Sequence, residues 1–132
     1  MQDIITFLMF DGKAEEAINF YVSIFKLSQI VNITRYKANE GGVEGKVKLA
    51  TFKLKEQEFT CIDSSGHNFS FTPSISLFVN CYSEDEINEL YENLSRDGQV
   101  MMALGTYPFS KKYCWVSDKY GVSWQLSLIS DS

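Results

Sequence analysis

Ile5-Thr-Phe-Leu-Met-Phe10, followed by Glu15-Glu16, Phe20-Tyr21 and Ile24, lines up without a gap on a second stretch 70 positions later. That stretch is Ile75-Ser-Leu-Phe-Val-Asn80, followed by Asp85-Glu86, Leu90-Tyr91 and Leu94. Each copy reads as an apolar strand running into an amphipathic helix. A duplicated unit of this size stacks on its twin to bury a shared face, and a cleft between twin halves is a natural place for a small molecule.

Outward from the repeat, the first copy predicts a strand over Ile4–Phe10, with both faces fairly apolar. Asp11 and Gly12 open a helix with Glu15 and Glu16 in its first turn, where the helix dipole favours negative charge. Ala14, Ala17, Ile18, Tyr21, Val22 and Phe25 form its apolar stripe. Strands follow at Gln29–Lys37, Lys46–Leu54 and Glu58–Asp63, with a Gly-rich loop over Asn39–Gly45. The alternation of Lys46–Leu54 changes phase near Ala50-Thr51, as a bulge requires.

Ser64–Ser74 reads as a connector. The second copy predicts a strand at Ser74–Asn80 and a capping box at Ser83-Glu-Asp-Glu86. Its helix carries the stripe Ile87, Leu90, Tyr91 and Leu94 and ends at Asp97-Gly98. Strands are expected at Gln99–Ala103, Lys111–Ser117 and Val122–Ile129, the last alternating Val122, Trp124, Leu126 and Leu128 against Ser123, Gln125 and Ser127. The expected class is α+β: two strand-helix-three-strand units, each a small mixed sheet with a helix on its outer face. Module 1 spans about 1–63, the connector 64–73 and module 2 about 74–132, within one domain.

Composition bounds the function. The 132 residues are 45% apolar and 22% charged, an ordinary globular balance. Ten Phe, seven Tyr and two Trp are enough to furnish both a core and an aromatic pocket. A net charge of -5, with no basic stripe, argues against nucleic acid as a partner. The apolar run Ile4–Phe10 is too short for a signal peptide or membrane span. Cys61, Cys81 and Cys114 are odd in number and form no Cys-x-x-Cys pair, so the chain is expected to be cytoplasmic with reduced thiols.

The opening Phe7-Leu-Met-Phe-Asp-Gly-Lys-Ala-Glu-Glu-Ala-Ile-Asn-Phe-Tyr21 resembles the start of the vicinal oxygen chelate superfamily of glyoxalases, bleomycin-resistance proteins and extradiol dioxygenases. Tyr113-Cys-Trp-Val-Ser-Asp-Lys-Tyr-Gly-Val-Ser-Trp-Gln125 is the more specific signal. It resembles the PhnB-like branch, which often carries a 3-demethylubiquinone methyltransferase label. The resemblance implies paired βαβββ modules forming curled mixed sheets around a cleft with helices outside, a homodimer and, in the superfamily's enzymes, a divalent metal held by His, Glu or Gln. Carried over, the metal-ligand positions fall at Thr6, Cys61, Ser76 and Gln125. Two hydroxyls, a thiol and an amide suit a hard or borderline ion poorly, so no metal and no cofactor are expected.

The other candidates weigh as follows. His67, the only histidine, is a general base at a cleft mouth or, more simply, a solvated loop residue. Cys61 is a nucleophile only with a base beside it, and none is marked, so a buried thiol is the simpler reading. Cys81 and Cys114 read the same way. Asp118 and Gly121 read as a tight turn. The glycines at 41, 42 and 45 do not lie between a strand and an opening helix, and the methyltransferase label has no support in them. Glu84, Asp85, Glu86, Glu89 and Glu92 are a solvated face. Trp124 shares its phase with core residues; Trp115 is available to stack a ligand.

The expected ligand cleft is lined by Thr6, Leu8, Phe10, Phe59, Cys61, Ser76, Phe78, Asn80, Gln125 and Ser127. It is apolar, with a few neutral hydrogen-bonding groups and no acid–base pair. Binding of a small organic molecule by a homodimer is therefore expected, the ligand being cationic if the acidic charge is a guide. A glyoxalase- or dioxygenase-like enzyme with an atypical metal site is the alternative, and an interaction scaffold with a vestigial cleft is a third reading.

Overall fold

The computed structural model describes residues 2–64, 66 and 69–129. The chain divides into two compact units, residues 1–70 and 71–132, each with one helix and four strands.

The first unit runs β1 (Thr6–Phe10), α1 (Ala14–Ile24), β2 (Gln29–Arg35), β3 (Val47–Leu54) and β4 (Gln57–Asp63). Its sheet has the order β1-β4-β3-β2, with β1 parallel to β4 and the other pairs antiparallel. Ala14, Ala17, Ile18 and Tyr21 form the buried stripe of α1, which lies against β2, β3 and β4. The expected helix start at Asp11 and Gly12 is corrected: Lys13 is the N-cap residue and its side chain makes no capping bond. The cap comes from another element. Asp63, at the end of β4, accepts from the Ala14 amide with Oδ1 and from the Val47 amide with Oδ2, both at 2.9 Å. One buried carboxylate thus ties helix, β3 and β4 together.

The phase change in β3 lies earlier than expected. Thr34 pairs with Leu49 and Arg35 with Val47, which leaves Lys48 as the inserted residue. Leu49 is consequently exposed, whereas Ala50, Phe52 and Leu54 are buried. A neighbouring irregularity inserts Val31 into β2, between Ile30 and Asn32.

The second unit runs β5 (Leu77–Cys81), α2 (Glu84–Ser95), β6 (Gln99–Tyr107), β7 (Ser110–Ser117) and β8 (Ser123–Leu128), in the order β5-β8-β7-β6. β5 starts later than expected and ends on Cys81; β6 runs past Ala103 to Tyr107. The capping box forms: Ser83 Oγ accepts from the Glu86 amide at 3.1 Å, and Glu86 Oε1 accepts from the Tyr82 amide at 2.8 Å. Ile87, Leu90 and Leu94 bury the helix against its own sheet.

After β7, Asp118 Oδ1 accepts from the amides of Tyr120 and Val122, and Oδ2 accepts the indole N–H of Trp124 at 2.8 Å. This supports the Asp118–Gly121 turn, with Gly121 at φ +92°. It also satisfies the one polar atom of a Trp that is only 1% exposed. Gly98 is required by contact, because a Cβ there would run into the Ser117 carbonyl oxygen.

The α+β class and mixed sheets are as expected, but neither sheet closes or curls strongly. Both carboxylates that hold the units together are 3% exposed. Asp63→Ala and Asp118→Ala are each expected to lose about 2–4 kcal/mol in chemical denaturation, since each strands at least two buried donors. Glu89→Ala, on the solvated helix face, is the control expected to change little.

Candidate functional site

Each sheet has one face under its helix and one open face. In the first unit, the alternation of β4 puts Phe59 and Cys61 on the same face as Asp63, the residue that caps α1. The register Thr6↔Phe59, Leu8↔Cys61 and Phe10↔Asp63 adds the β1 residues to that face. Leu8, Phe10, Phe59 and Cys61 are buried there, and Phe59 stacks on Phe52 at 5.3 Å. These residues, assigned to a cleft by the sequence, thus stand in the layer beneath the helix. Thr6 shares their phase and is half-buried. Phe7, Met9, Thr60 and Ile62 occupy the open face.

The second unit behaves differently. Phe78 pairs with Gln125, which pairs with Trp115; Asn80 pairs with Ser127, which pairs with Tyr113. With Ser76 and Ser123 in the same phase, this open face gathers all five residues that the sequence nominated there: Ser76, Phe78, Asn80, Gln125 and Ser127. It adds Tyr113 and Ser123, which were not nominated, and Trp115, which was weighed as a stacking residue but left out of the cleft. Their signal was the alternation of Tyr113, Trp115 and Ser117 against Cys114 and Val116.

The polar groups are ordered. Tyr113 Oη donates to Gln125 Oε1 at 2.6 Å. Trp115 Nε1 donates to Ser123 Oγ at 2.9 Å, and Ser123 Oγ lies 2.7 Å from Ser76 Oγ. Ser110 Oγ, 2.8 Å from Ser127 Oγ, donates to the Lys112 carbonyl. Around Tyr113 the rings of Phe109, Tyr107 and Phe78 stand at 4.8, 5.5 and 6.5 Å. Phe109 and Phe78 are 65% and 57% exposed, whereas Tyr113 is 4% exposed. Burial, with Cys114 and Tyr107 adding to it, holds the Tyr113 hydroxyl above the ordinary phenol range, so it remains a donor at neutral pH.

Other candidates resolve more simply. Burial, and then the charge of Asp63, pushes the Cys61 thiol up to about 12. Burial does the same to Cys114, against a hydrogen bond from the Leu126 backbone that opposes it. Neither presents a thiolate at neutral pH. The 41–45 glycines lie in the β2–β3 connection, Trp124 is core, and His67 lies outside the described residues. A notch of about 160 Å³ at the head of α1 is lined by Lys13, Glu15, Lys46 and Asp63 among others. Its charges are committed: Lys46 Nζ to the Gly12 carbonyl, Glu15 to Arg35, and Asp63 to backbone amides.

The superfamily's metal does not fit this donor set. Among the described residues no three of His, Cys, Asp and Glu come together. The open face of the second sheet offers neutral hydroxyls and amides where a divalent ion takes imidazole, carboxylate or thiolate.

Residues 2–127 match the family model described as 3-demethylubiquinone-9 3-methyltransferase. The chain belongs to this PhnB-like family. It is 59% identical to a PhnB protein of Bacillus cereus with the same methyltransferase description, at a TM-score of 0.94, covering 97% of this chain and 100% of that one. A glyoxalase/bleomycin resistance/dioxygenase domain from Frankia shares the fold at 12% identity and a TM-score of 0.70, covering 100% and 95%. The fosfomycin resistance protein FosX of Mesorhizobium loti does so at 8% and 0.62, covering 98% and 94%. The curated proteins give no match. The vicinal oxygen chelate fold of this PhnB-like chain is therefore shown.

The buried thiols set a pH dependence. Their folded pKa is raised above the unfolded value near 9, so they stabilise the fold below pH 9 and that contribution is lost as pH climbs toward about 12. Stability measured by denaturation across that window is expected to fall, and the Cys61→Ala/Cys114→Ala double variant to fall less steeply. Equal slopes would show that the thiols ionise without penalty.

Proposed function

We propose that this PhnB-like chain binds a small organic molecule on the open face of its second sheet, as a homodimer and without a resident metal. The observation that carries the reading is the pairing of an exposed aromatic surface, Phe78 and Phe109 about Tyr113, with fixed neutral hydrogen-bonding groups. Aromatic walls with a few convergent polar groups are the composition of a small-molecule site. The absence of an acid–base pair on that face favours holding a ligand over transforming it: Asp63 and Asp118 are occupied with backbone amides, and Cys61 and Cys114 stay protonated. Three buried free thiols suit a reducing compartment such as the cytoplasm. Among the described residues no helix is long and apolar enough to cross a membrane.

The methyl transfer named in the family description draws no support from this chain. Two four-stranded mixed sheets lack the parallel, doubly wound arrangement in which glycine-rich turns cradle a nucleotide-type cofactor. The metal-dependent alternative finds no donor set among the described residues.

A thermal-shift screen with planar aromatic compounds tests the proposal. A binder is expected to raise Tm in proportion to the logarithm of its concentration. Phe78→Ala is expected to weaken that binder by about 1–2 kcal/mol while leaving the unliganded Tm nearly unchanged, since the ring is exposed. A screen without a hit, or a hit indifferent to Phe78, would remove the open face as the site.

A further inference from the structure

The hydrogen bonds on the open face of the second unit have a direction, and that direction specifies what a ligand must carry. An indole N–H can only donate, so Ser123 Oγ accepts from Trp115. Ser123 is 2% exposed, and among the described residues the only acceptor within reach of its own O–H is Ser76 Oγ. A buried hydroxyl left unpaired is costly, so Ser123 donates to Ser76. Ser76 is then an acceptor within the chain Trp115–Ser123–Ser76, and its proton is left for something outside.

Gln125 is set in the same sense. Its Oε1 is taken by the Tyr113 hydroxyl, and its Nε2 bonds to no described residue. Two N–H groups therefore remain at the outer end of the amide. Ser127 adds no donor: Ser110 gives its proton to the Lys112 carbonyl, so Ser127 must give its own to Ser110. Gln125 lies between Phe78 and Trp115 in the register, and Ser76 lies one alternation along beside Ser123. Two donors of one sense, on backbone positions roughly 8 Å apart along the diagonal between neighbouring strands, are thus bordered by two aromatic rings.

We infer that this face selects planar aromatic ligands bearing carbonyl-type acceptors, with Ser76 and Gln125 donating to them, and rejects those with an ammonium group in the same place. The inference rests on the binding reading above and reverses the cationic preference that the net charge suggested. A cation would gain from the ring faces, but between Phe78 and Trp115 it would meet the N–H groups of Gln125 and the hydroxyl proton of Ser76, the acceptor lone pairs of Ser127 lying one alternation further along. Tyr113 is a positioning residue here, since it fixes which end of the amide faces out.

Three probes of one skeleton separate the possibilities: N-methylphthalimide with two carbonyls, indane with neither donor nor acceptor, and N-methylisoindoline, cationic at neutral pH. Affinities are measured by calorimetry or ligand-observed NMR on the full chain. The imide is expected to bind about ten-fold tighter than indane, and the amine weakest. Ser76→Ala should remove a few-fold of the imide's advantage. Gln125→Glu, which replaces the donors by a carboxylate, should invert the order of imide and amine. Tyr113→Phe should narrow the gap between them by freeing the amide to turn. Equal affinity for all three would leave the binding site standing and overturn the donor assignment. An amine preference in the unaltered chain would overturn it too. No binding by any of the three would overturn both the assignment and the binding reading.

Discussion

A strand offers each face of its sheet only every second residue, and in both units the helix claims one of the two faces. Everything else in this fold follows from that allocation. Once α1 covers the face with Leu8, Phe59 and Cys61, those side chains are committed to packing whatever their chemistry. Once α2 covers the face with Trp124, Leu126 and Cys114, the polar alternates of β8 must face the other way. The allocation is locked by two buried carboxylates that work on backbone donors. Asp63 fastens the head of α1 to β3 and β4, and Asp118 fastens the β7–β8 turn to the indole of Trp124.

That constraint explains which parts of the molecule were legible. Local pattern located both helices, all eight strands and the capping box, because apolar spacing and turn chemistry are local signals. It did not locate the faces. β1 and β5 begin 71 residues apart, at Thr6 and Leu77, whereas α1 and α2 begin 70 apart, at Ala14 and Glu84. An ungapped alignment fixed on the helices therefore slips the first strands by one, and one residue turns every side chain over. Ser76 and Phe78 fell on the open face, while Thr6 and Leu8, their partners in that alignment, fell under α1. Nothing in β1 warned of this, since Phe7 and Met9 are as apolar as Leu8 and Phe10. In β8 the contrast of Trp124 and Leu126 with Gln125 and Ser127 left no ambiguity. The bulge in β3, expected near Ala50-Thr51, falls at Lys48, the inserted residue, and leaves Leu49 exposed.

The chemistry follows the same economy of faces. The buried carboxylates and thiols are used for architecture. Asp63 and Asp118 hold amides, and Cys61 and Cys114 are shut in as thiols. What remains on the open face of the second sheet is neutral: hydroxyls, amides and rings. The family shown by residues 2–127 and the fold shared with glyoxalase-related proteins set the frame. The side chains placed in that frame are the ones on which the proposed binding of a small molecule rests.

The recognition proposed for this surface depends on how much of its order exists before a ligand arrives. Tyr113 stands edge-on to both Tyr107 and Phe109, whose rings stack on each other, and Tyr107 is itself anchored through its hydroxyl to the Ala103 carbonyl at 2.6 Å. The phenol cannot turn away without breaking that ring packing, so the Gln125 amide is oriented in the unliganded protein. Ser76 is oriented likewise by a chain that starts at an indole in the sheet. Rotamer entropy that a flexible site loses on binding is here already lost in folding. The conformational cost of presenting two donors thus falls on the stability of the second unit, where the buried bond from Trp124 to Asp118 helps to offset it.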